Sequence, residues 1–252
     1  VIYADTYGKL HVLRYTERGW RLDWELTNLG AKIANFIVYD LDGDGTYELV
    51  VATVNGRILI YSMEDYSYIW ENLEMKFEKI ATMEIADIDS DPQPEFIVLA
   101  DGKLNIIDSQ NKSKQWSSTR EFDAVEIVID NVDKDDQLEI ILNTGIVIDS
   151  RFYNIDIEWD KPFGERIMTC DMNNDGYPEV IVGAPGEANH GRVYIFNGQT
   201  GSVMYTLNTP NPELNGMFGC SVSGAGDVNN DGYPDVIVGA HNEDPDASPT
   251  DA

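Results

Sequence analysis

The sequence predicts an all-β protein built from repeated four-stranded antiparallel sheets, and three observations lead to this prediction. An acidic nine-residue segment recurs five times, with starts 47, 44, 40 and 56 residues apart. A short apolar run rich in β-branched residues follows each copy, and it is too short for a helix. No amphipathic helical period separates the copies. The spacing of the acidic segments is typical of proteins in which each repeat is one supersecondary unit.

Each repeat contains four predicted strands in a fixed order. The first strand precedes the acidic segment, as at residues 36–39 and 125–129, and the second is the apolar run after it. The third strand follows a glycine turn, as at residues 56–61. The fourth strand carries an aromatic residue, and these aromatics are Trp70, Trp116, Trp159 and Tyr205. Four short strands in about 40 to 45 residues are typical of a β-propeller blade.

The repeats predict a single β-propeller domain over residues 1–252 that is incomplete at both ends. We expect complete blades at about residues 31–75, 76–120, 121–163 and 164–210. Residues 1–30 match the last three strands of a blade, and residues 211–252 match the first two. Closing these ends on each other would duplicate one strand. We therefore interpret the chain as most of a larger propeller with seven blades.

The composition excludes several classes of function. The 252 residues include 17 Lys and Arg against 45 Asp and Glu, which gives a formal charge of −28. A surface this acidic repels phosphate backbones and anionic membranes, so we expect neither nucleic-acid binding nor direct membrane insertion. Nineteen of the acids lie in or beside the five repeated segments. The excess negative charge is therefore concentrated in the five acidic segments.

The acidic segments have the residue pattern of a cation-binding loop. Oxygen-bearing side chains occupy positions 1, 3, 5 and 9, and an apolar residue occupies position 2. Alternate oxygens converge as the chain curls, and Ca²⁺ takes about six to eight oxygen ligands. Gly45, Gly176 and Gly232 at position 6 permit a tight turn. Calcium fits best, because Mg²⁺ needs stricter geometry and transition metals recruit His or Cys. An EF-hand is excluded, since strands flank the segment.

The segments resemble the FG-GAP, or VCBS-type, repeats of integrin α-subunit propellers and of many secreted microbial proteins. The resemblance is strongest in the last unit, where Phe218 and Gly219 precede the segment 226–235 and the strand 236–240. It extends over 180–185 in the preceding unit and covers the rest of the chain more loosely. The resemblance implies an extracellular, secreted or cell-surface protein that binds calcium and acts in adhesion.

The resemblance also implies a ligand set for up to five Ca²⁺ ions. The segments 171–179, 227–235 and 40–48 match best, whereas 87–95 has Pro92 and 131–139 has Asp136 at the turn position, so we expect weaker sites there. The family more often has Asp at position 9, so the longer glutamates either ligate or hydrogen-bond the loop. The predicted metal ligands are Asp40, Asp42, Asp44, Glu48, Asp87, Asp89, Asp91, Glu95, Asn131, Asp133, Asp135, Glu139, Asp171, Asn173, Asp175, Glu179, Asp227, Asn229, Asp231 and Asp235.

The expected function is a binding module and not an enzyme. The sequence shows no Ser/His/Asp arrangement and no phosphate-cradling glycine loop. The integrin resemblance implies a protein ligand or partner subunit. Two alternatives stay open. One is a carbohydrate-binding or polysaccharide-degrading propeller, a lectin or a lyase. The other is a structural subunit that self-associates into a surface layer or filament.

Three other features of the sequence bear on these alternatives. Four tryptophans recur at a nearly constant period, and we expect them to pack between blades instead of stacking on sugar. Cys170 and Cys220 leave one disulfide open, and the sequon at Asn111 leaves glycosylation open in a secretory host. The tryptophans are Trp24, Trp70, Trp116 and Trp159.

Overall fold

The structure is a computed structural model, and it divides into two compact units, Val1–Phe122 and Asp123–Ala252. Three parts of the sequence predictions, Pro92, Trp159 and the tail after residue 243, lie outside the described residues. The described residues are 1–27, 29–91, 93–133, 135–150, 164–210 and 212–243, with the backbone of 154–158.

The unit Val1–Phe122 contains three antiparallel sheets, each a meander of consecutive strands. The first sheet comprises β1 (Ile2–Ala4), β2 (Leu10–Thr16) and β3 (Gly19–Leu26). The second comprises β4 (Ile33–Tyr39), β5 (Glu48–Thr53), β6 (Ile58–Ser62) and β7 (Tyr68–Glu71). The third comprises β8 (Ile80–Ala86), β9 (Glu95–Ala100), β10 (Lys103–Asp108) and β11 (Lys114–Ser117).

The unit Asp123–Ala252 continues the same pattern. The fourth sheet comprises β12 (Ile127–Asp130), β13 (Glu139–Leu142), β14 (Ile146–Asp149) and β15 (Asn154–Glu158). The fifth comprises β16 (Arg166–Cys170), β17 (Glu179–Ala184), β18 (Arg192–Phe196) and β19 (Val203–Asn208), and a 3₁₀ turn, Glu187–Asn189, precedes β18. The sixth comprises β20 (Ser221–Gly226) and β21 (Asp235–Gly239). Within the residues that the structure describes, no helix has the length and apolar character that a membrane crossing requires.

These sheets confirm the predicted all-β fold with four-stranded antiparallel propeller blades. An acidic segment joins the first two strands of the second to the sixth sheet, and its ninth residue opens the second strand. Glu48, for example, pairs with Tyr39 at the end of β4, and Glu179 pairs with Cys170 at the end of β16. The strand ladder therefore brings the two ends of each acidic loop together. The seven-blade count and the domain boundaries stay predictions.

The core of the first unit lies between the faces of neighbouring sheets. Along β5, alternate residues point to opposite faces. Leu49 and Val51 pack with Leu10 of the first sheet, while Val50 and Ala52 pack with residues of the third. Every residue of β5 is buried for this reason. A continuous apolar run of this kind in the sequence is typical of a strand that is buried on both faces.

The second unit shows what covers a blade face. Ile181 of β17 is fully buried, and Val222, Val236 and Val238 of the sixth sheet pack against its cluster. The equivalent residue of the sixth sheet, Ile237, is 60% exposed. Among the described residues, β21 has no third strand beside it. The same repeat position is therefore core in one sheet and surface in the other.

Candidate metal centre

A hydrogen bond between positions 2 and 9 closes every acidic loop. The carboxylate of the ninth residue accepts it from the backbone N–H of the second residue. The glutamates at position 9 therefore hydrogen-bond their loops, and their role as metal ligands stays a prediction. In Glu95 one carboxylate oxygen is engaged in this way, while the other, Oε1, has no hydrogen-bond partner. The five bonds are Leu41 to Glu48 (3.0 Å), Ile88 to Glu95 (3.0 Å), Val132 to Glu139 (2.8 Å), Met172 to Glu179 (2.9 Å) and Val228 to Asp235 (2.8 Å).

Side chains at positions 1, 3 and 5 also fold the loop by accepting backbone N–H groups. In loop 40–48, Asp40 accepts from Gly43 at 2.8 Å and from Gly45 at 3.0 Å. Asp42 accepts from the N–H of Asp44 at 3.2 Å. Loops 171–179 and 227–235 repeat the bond from the sixth to the first residue, each at 2.9 Å. The acids are thus held by the backbone of the turn that they form.

Three of the five loops bring three carboxylates together. In each group, one oxygen from every member lies within 4.8 Å of the others. Position 9 belongs to all three groups, which the ladder between the first two strands explains. The predicted ligands at these positions therefore converge. The groups are Asp40, Asp42 and Glu48; Asp87, Asp89 and Glu95; and Asp133, Asp135 and Glu139.

The fourth and fifth loops differ from these, because asparagine stands at position 3. The Asn173 amide donates to Glu179 Oε1 at 3.1 Å, while its oxygen accepts the N–H of Asp175 at 2.8 Å. Asn229 donates to Asp231 at 3.1 Å and to Asp235 at 3.3 Å. An amide donor thus offsets part of the carboxylate charge in the two loops that match the repeat best.

Burial raises the pKa of the glutamate at position 9 in three of the loops. Glu95 is 1% exposed, and burial raises its pKa to about 7, with Asp89 and its neighbours adding to the shift. Burial also raises the pKa of Glu48 and of Glu179. At Asp44 the hydrogen bonds from Thr46 lower the pKa instead. Buried carboxylates beside other carboxylates favour either a proton or a metal cation.

The residues fit a hard divalent cation. Glu95 Oε1 is buried and has no hydrogen-bond partner, and Asn131 Oδ1 in the next loop along the chain shares this property. Both atoms are predicted ligand oxygens, and a buried oxygen without a donor costs free energy. The predicted donor set consists of carboxylate and amide oxygens, the ligands that Ca²⁺ prefers.

The apolar residue at position 2 attaches loops 40–48 and 131–139 to the sheet that follows. Leu41 packs with residues of the third sheet and Val132 with residues of the fifth. Val228 of the last loop is 68% exposed. Among the described residues no sheet follows the sixth along the chain, which leaves Val228 exposed.

Two tryptophans contact the turn between the third and fourth strands of the following sheet. Trp24 stacks on Tyr66 with ring centroids 5.0 Å apart and planes 6° apart. The Lys112 ammonium lies 5.8 Å from the Trp70 ring centroid. These two rings therefore pack between neighbouring blades. The sequence did not indicate Lys112, because its place beside Trp70 and loop 40–48 arises only from the packing of two sheets.

The structure also describes the two cysteines and the sequon at Asn111. Cys170 and Cys220 are free thiols. Asn111 is exposed in the turn between β10 and β11, where its amide donates to Asp108 at 3.0 Å.

Comparison with known proteins finds a family match in the second unit. The FG-GAP-like repeat family matches residues 171–238. Human integrin alpha-11 is 39% identical over 108 residues, which is 40% of this chain and 9% of that protein. Integrin alpha-5 of Xenopus laevis is 40% identical over 94 residues, covering 32% of this chain and 9% of that protein. The chain thus spans less than a tenth of the length of these relatives.

Solved structures show the same fold at low sequence identity. Saccharomyces cerevisiae Sqt1 superposes with a TM-score of 0.67 and 13% identity, over 95% of this chain and 66% of that chain. BBS1N in complex with ARL6DN superposes with a TM-score of 0.62 and 13% identity, over 94% of this chain and 75% of that chain. The Vibrio cholerae biofilm matrix protein Bap1 superposes with a TM-score of 0.54 and 18% identity, over 70% of this chain and 29% of that chain. Five acidic loops in phase and antiparallel propeller blades agree with the match of residues 171–238 to the FG-GAP-like repeat family.

Proposed function

We propose that this protein is a calcium-binding extracellular β-propeller that acts as an adhesion or protein-interaction module without catalysing a reaction. The observation that carries the proposal is the repeated loop, in which one closure bond and one set of oxygens recur five times. Similarity to integrin α-subunits at about 40% identity supports it. Calcium would hold the hairpin formed by the first two strands of each blade.

The chain's own residues would supply the ligands. In loop 40–48 these are Asp40, Asp42 and Glu48, with Asp44 beside them. A bound cation would offset the repulsion among these acids. In loop 87–95 it would also satisfy Glu95 Oε1. Because the cation binds the folded loops, free Ca²⁺ would raise the free energy of unfolding.

The partner in this proposal is a protein ligand or a partner subunit. The similarity to integrin α-subunits supports a place outside the cell or at its surface. Extracellular modules bind Ca²⁺ with dissociation constants of about 10⁻⁴ to 10⁻³ M, which suits calcium levels outside cells. The negative charge of the chain favours a partner with a basic surface.

Thermal unfolding with Ca²⁺, with Mg²⁺ and with EDTA tests the metal. We expect Ca²⁺ to raise Tm by several degrees and EDTA to reverse the shift, with a smaller effect of Mg²⁺. The variant Asp89→Asn should reduce the shift, and Glu17→Gln, which changes an exposed acid outside the loops, should leave it unchanged. Identical Tm values with calcium and with EDTA would show the proposal to be wrong.

A carbohydrate-binding propeller is the second candidate, and one groove favours it. The groove has a volume of about 740 Å³, and Trp70, Leu73 and Met75 line it together with Glu71 and Glu74. Leu73 is 67% exposed, so this apolar strip is open to solvent. Calorimetric titration with a panel of soluble glycans tests the groove. Binding that Leu73→Asp abolishes would support this function, and no binding by any glycan would contradict it.

A further inference from the structure

Lys112 occupies a rigid turn between β10 and β11. Its backbone is left-handed, with φ 56°, and its N–H donates to the carbonyl of Asp108 at 3.0 Å. Asp108 Oδ1 accepts two more N–H groups of the turn, from Gln110 at 2.8 Å and from Asn111 at 2.7 Å. The turn therefore fixes the direction in which the lysine leaves the third sheet.

The Lys112 ammonium is held beside the second sheet. It lies 5.8 Å from the Trp70 ring centroid and 5.5 Å from that of Phe96, and it donates to the Ser109 carbonyl. The positive charge of Lys112 therefore interacts with two aromatic rings and one carbonyl oxygen.

The same lysine faces loop 40–48. A cavity of about 310 Å³ is lined by Lys112 and by Leu41, Asp42 and Glu48 of the loop. Burial lowers the pKa of Lys112, whereas the charges of Asp108, Glu48 and Asp42 act in the opposite direction. The positive charge is thus shared between its own turn and the carboxylates of the preceding sheet.

Equivalent turns in two other sheets carry no charge at this position. Tyr66, with φ 60°, takes it in the second sheet, and Gly201, with φ 65°, takes it in the fifth. All three residues are left-handed, so the turn conformation is common to them. A cation beside the acidic loop is the feature that sets Lys112 apart from them.

We propose that Lys112 is an internal counter-ion of loop 40–48 and that it weakens the affinity of this loop for calcium. The inference rests on the calcium binding proposed above. Without the metal, the ammonium offsets part of the repulsion among Asp40, Asp42 and Glu48. With the metal, two cations compete for Asp42 and Glu48 and repel each other. Lys112 is thus a positioning and tuning residue and not itself a ligand.

Hydrogen exchange measured by mass spectrometry at increasing calcium concentration tests the inference in the full chain. The readout is the calcium concentration at which the peptide covering loop 40–48 reaches half of its protection. We expect Lys112→Met to lower this midpoint about 3- to 10-fold. Loop 171–179 serves as the internal reference, and its midpoint should not move. Lys112→Arg, which keeps the charge, should stay close to the unmodified protein.

Two further variants separate charge from folding. Lys112→Tyr introduces the residue of the equivalent turn in the second sheet, so it preserves packing on Trp70, and it should lower the midpoint as Lys112→Met does. Lys114→Met is the matched control. Lys114 lies in the same sheet, donates to Asn105 at 2.8 Å and lies 5.1 Å from the Phe77 centroid, so removing its charge should leave loop 40–48 unchanged.

The outcomes distinguish this inference from the proposed function. If loop 40–48 gains protection with calcium but its midpoint is the same in Lys112→Met, Lys112→Tyr and the unmodified protein, Lys112 has no tuning role. A midpoint that Lys114→Met lowers equally would also overturn the inference. If no loop gains protection at millimolar calcium, the calcium proposal itself is wrong and this inference is wrong with it.

Discussion

The backbone N–H of Met172 donates to the buried carboxylate of Glu179 at 2.9 Å, and this bond ties the start of an acidic loop to the strand that follows it. The strand ladder places Glu179 opposite Cys170, just before the loop begins. The loop is therefore closed by its own residues, and a cation would add to a turn that already has its shape.

Glu179 should stabilise the calcium-free protein through this bond. Glu179→Ala removes the acceptor and leaves the Met172 N–H without it, so we expect a loss of about 1 to 3 kcal/mol in the free energy of unfolding. Glu179→Gln keeps an acceptor oxygen and should lose less. Urea unfolding in EDTA measures both variants without any contribution from calcium. Equal losses in the two variants would show that the charge, not the bond, matters.

The calcium-free protein should lose stability as the pH rises from about 4.5 to 7. Glu95 is responsible, because burial raises its pKa from 4.5 to about 7. The folded state then binds the proton more tightly than the unfolded state does. The stability is fully present below the unfolded pKa and is lost as the pH rises through the folded pKa, by at most about 3 kcal/mol.

Urea unfolding in EDTA at several pH values measures this effect. Glu95→Gln, which is neutral at every pH, should flatten the pH dependence in that window. Glu17→Gln, at an exposed site outside the loops, is the control and should leave the dependence as it is. A Glu95→Gln profile parallel to that of the unmodified protein would contradict the assignment.

Tyr66 should link the first and second sheets through its ring and its hydroxyl. The ring stacks on Trp24, and the hydroxyl donates to Asp23 at 2.5 Å. We expect Tyr66→Phe to cost about 1 kcal/mol through the lost hydrogen bond and Tyr66→Ala about 1 kcal/mol more through the lost stacking. Chemical denaturation measures both, with Tyr7→Phe at an 88% exposed residue as the control. An undiminished stability in Tyr66→Ala would show that this contact contributes nothing.

Gly56 should tolerate no side chain. Its φ is +89°, and an added Cβ would lie 1.9 Å from the carbonyl oxygen of Phe77. Gly19 has nearly the same φ, +90°, but no atom within 4 Å of an added Cβ. Gly19→Ala therefore measures backbone strain alone, about 1 to 2 kcal/mol, and Gly56→Ala should cost at least about 2 kcal/mol more. Similar losses in the free energy of unfolding for the two variants would show that the turn at Gly56 can move away from Phe77 without a cost in free energy.

The repeat made much of this fold predictable. Nine-residue segments in phase, each followed by a β-branched run, predicted antiparallel four-stranded blades and the loop between the first two strands. Position 9 was ambiguous in the sequence, because a glutamate at the start of a strand is compatible with ligation and with loop closure. The bond from Ile88 to Glu95 shows loop closure, which depends on the register between β8 and β9, while ligation stays a prediction.

The sequence by itself determined the local chemistry: which residues bear oxygens, where the turn permits a left-handed glycine, and which runs form strands. The tertiary structure decided which of those residues are buried and what faces them. Ile181 and Ile237 occupy the same place in their repeats, yet one is fully buried and the other 60% exposed. Lys112 meets loop 40–48 only because the third sheet packs on the second. Periodicity is a property of neighbours along the chain, whereas burial and counter-charge depend on the sheet that packs against each face.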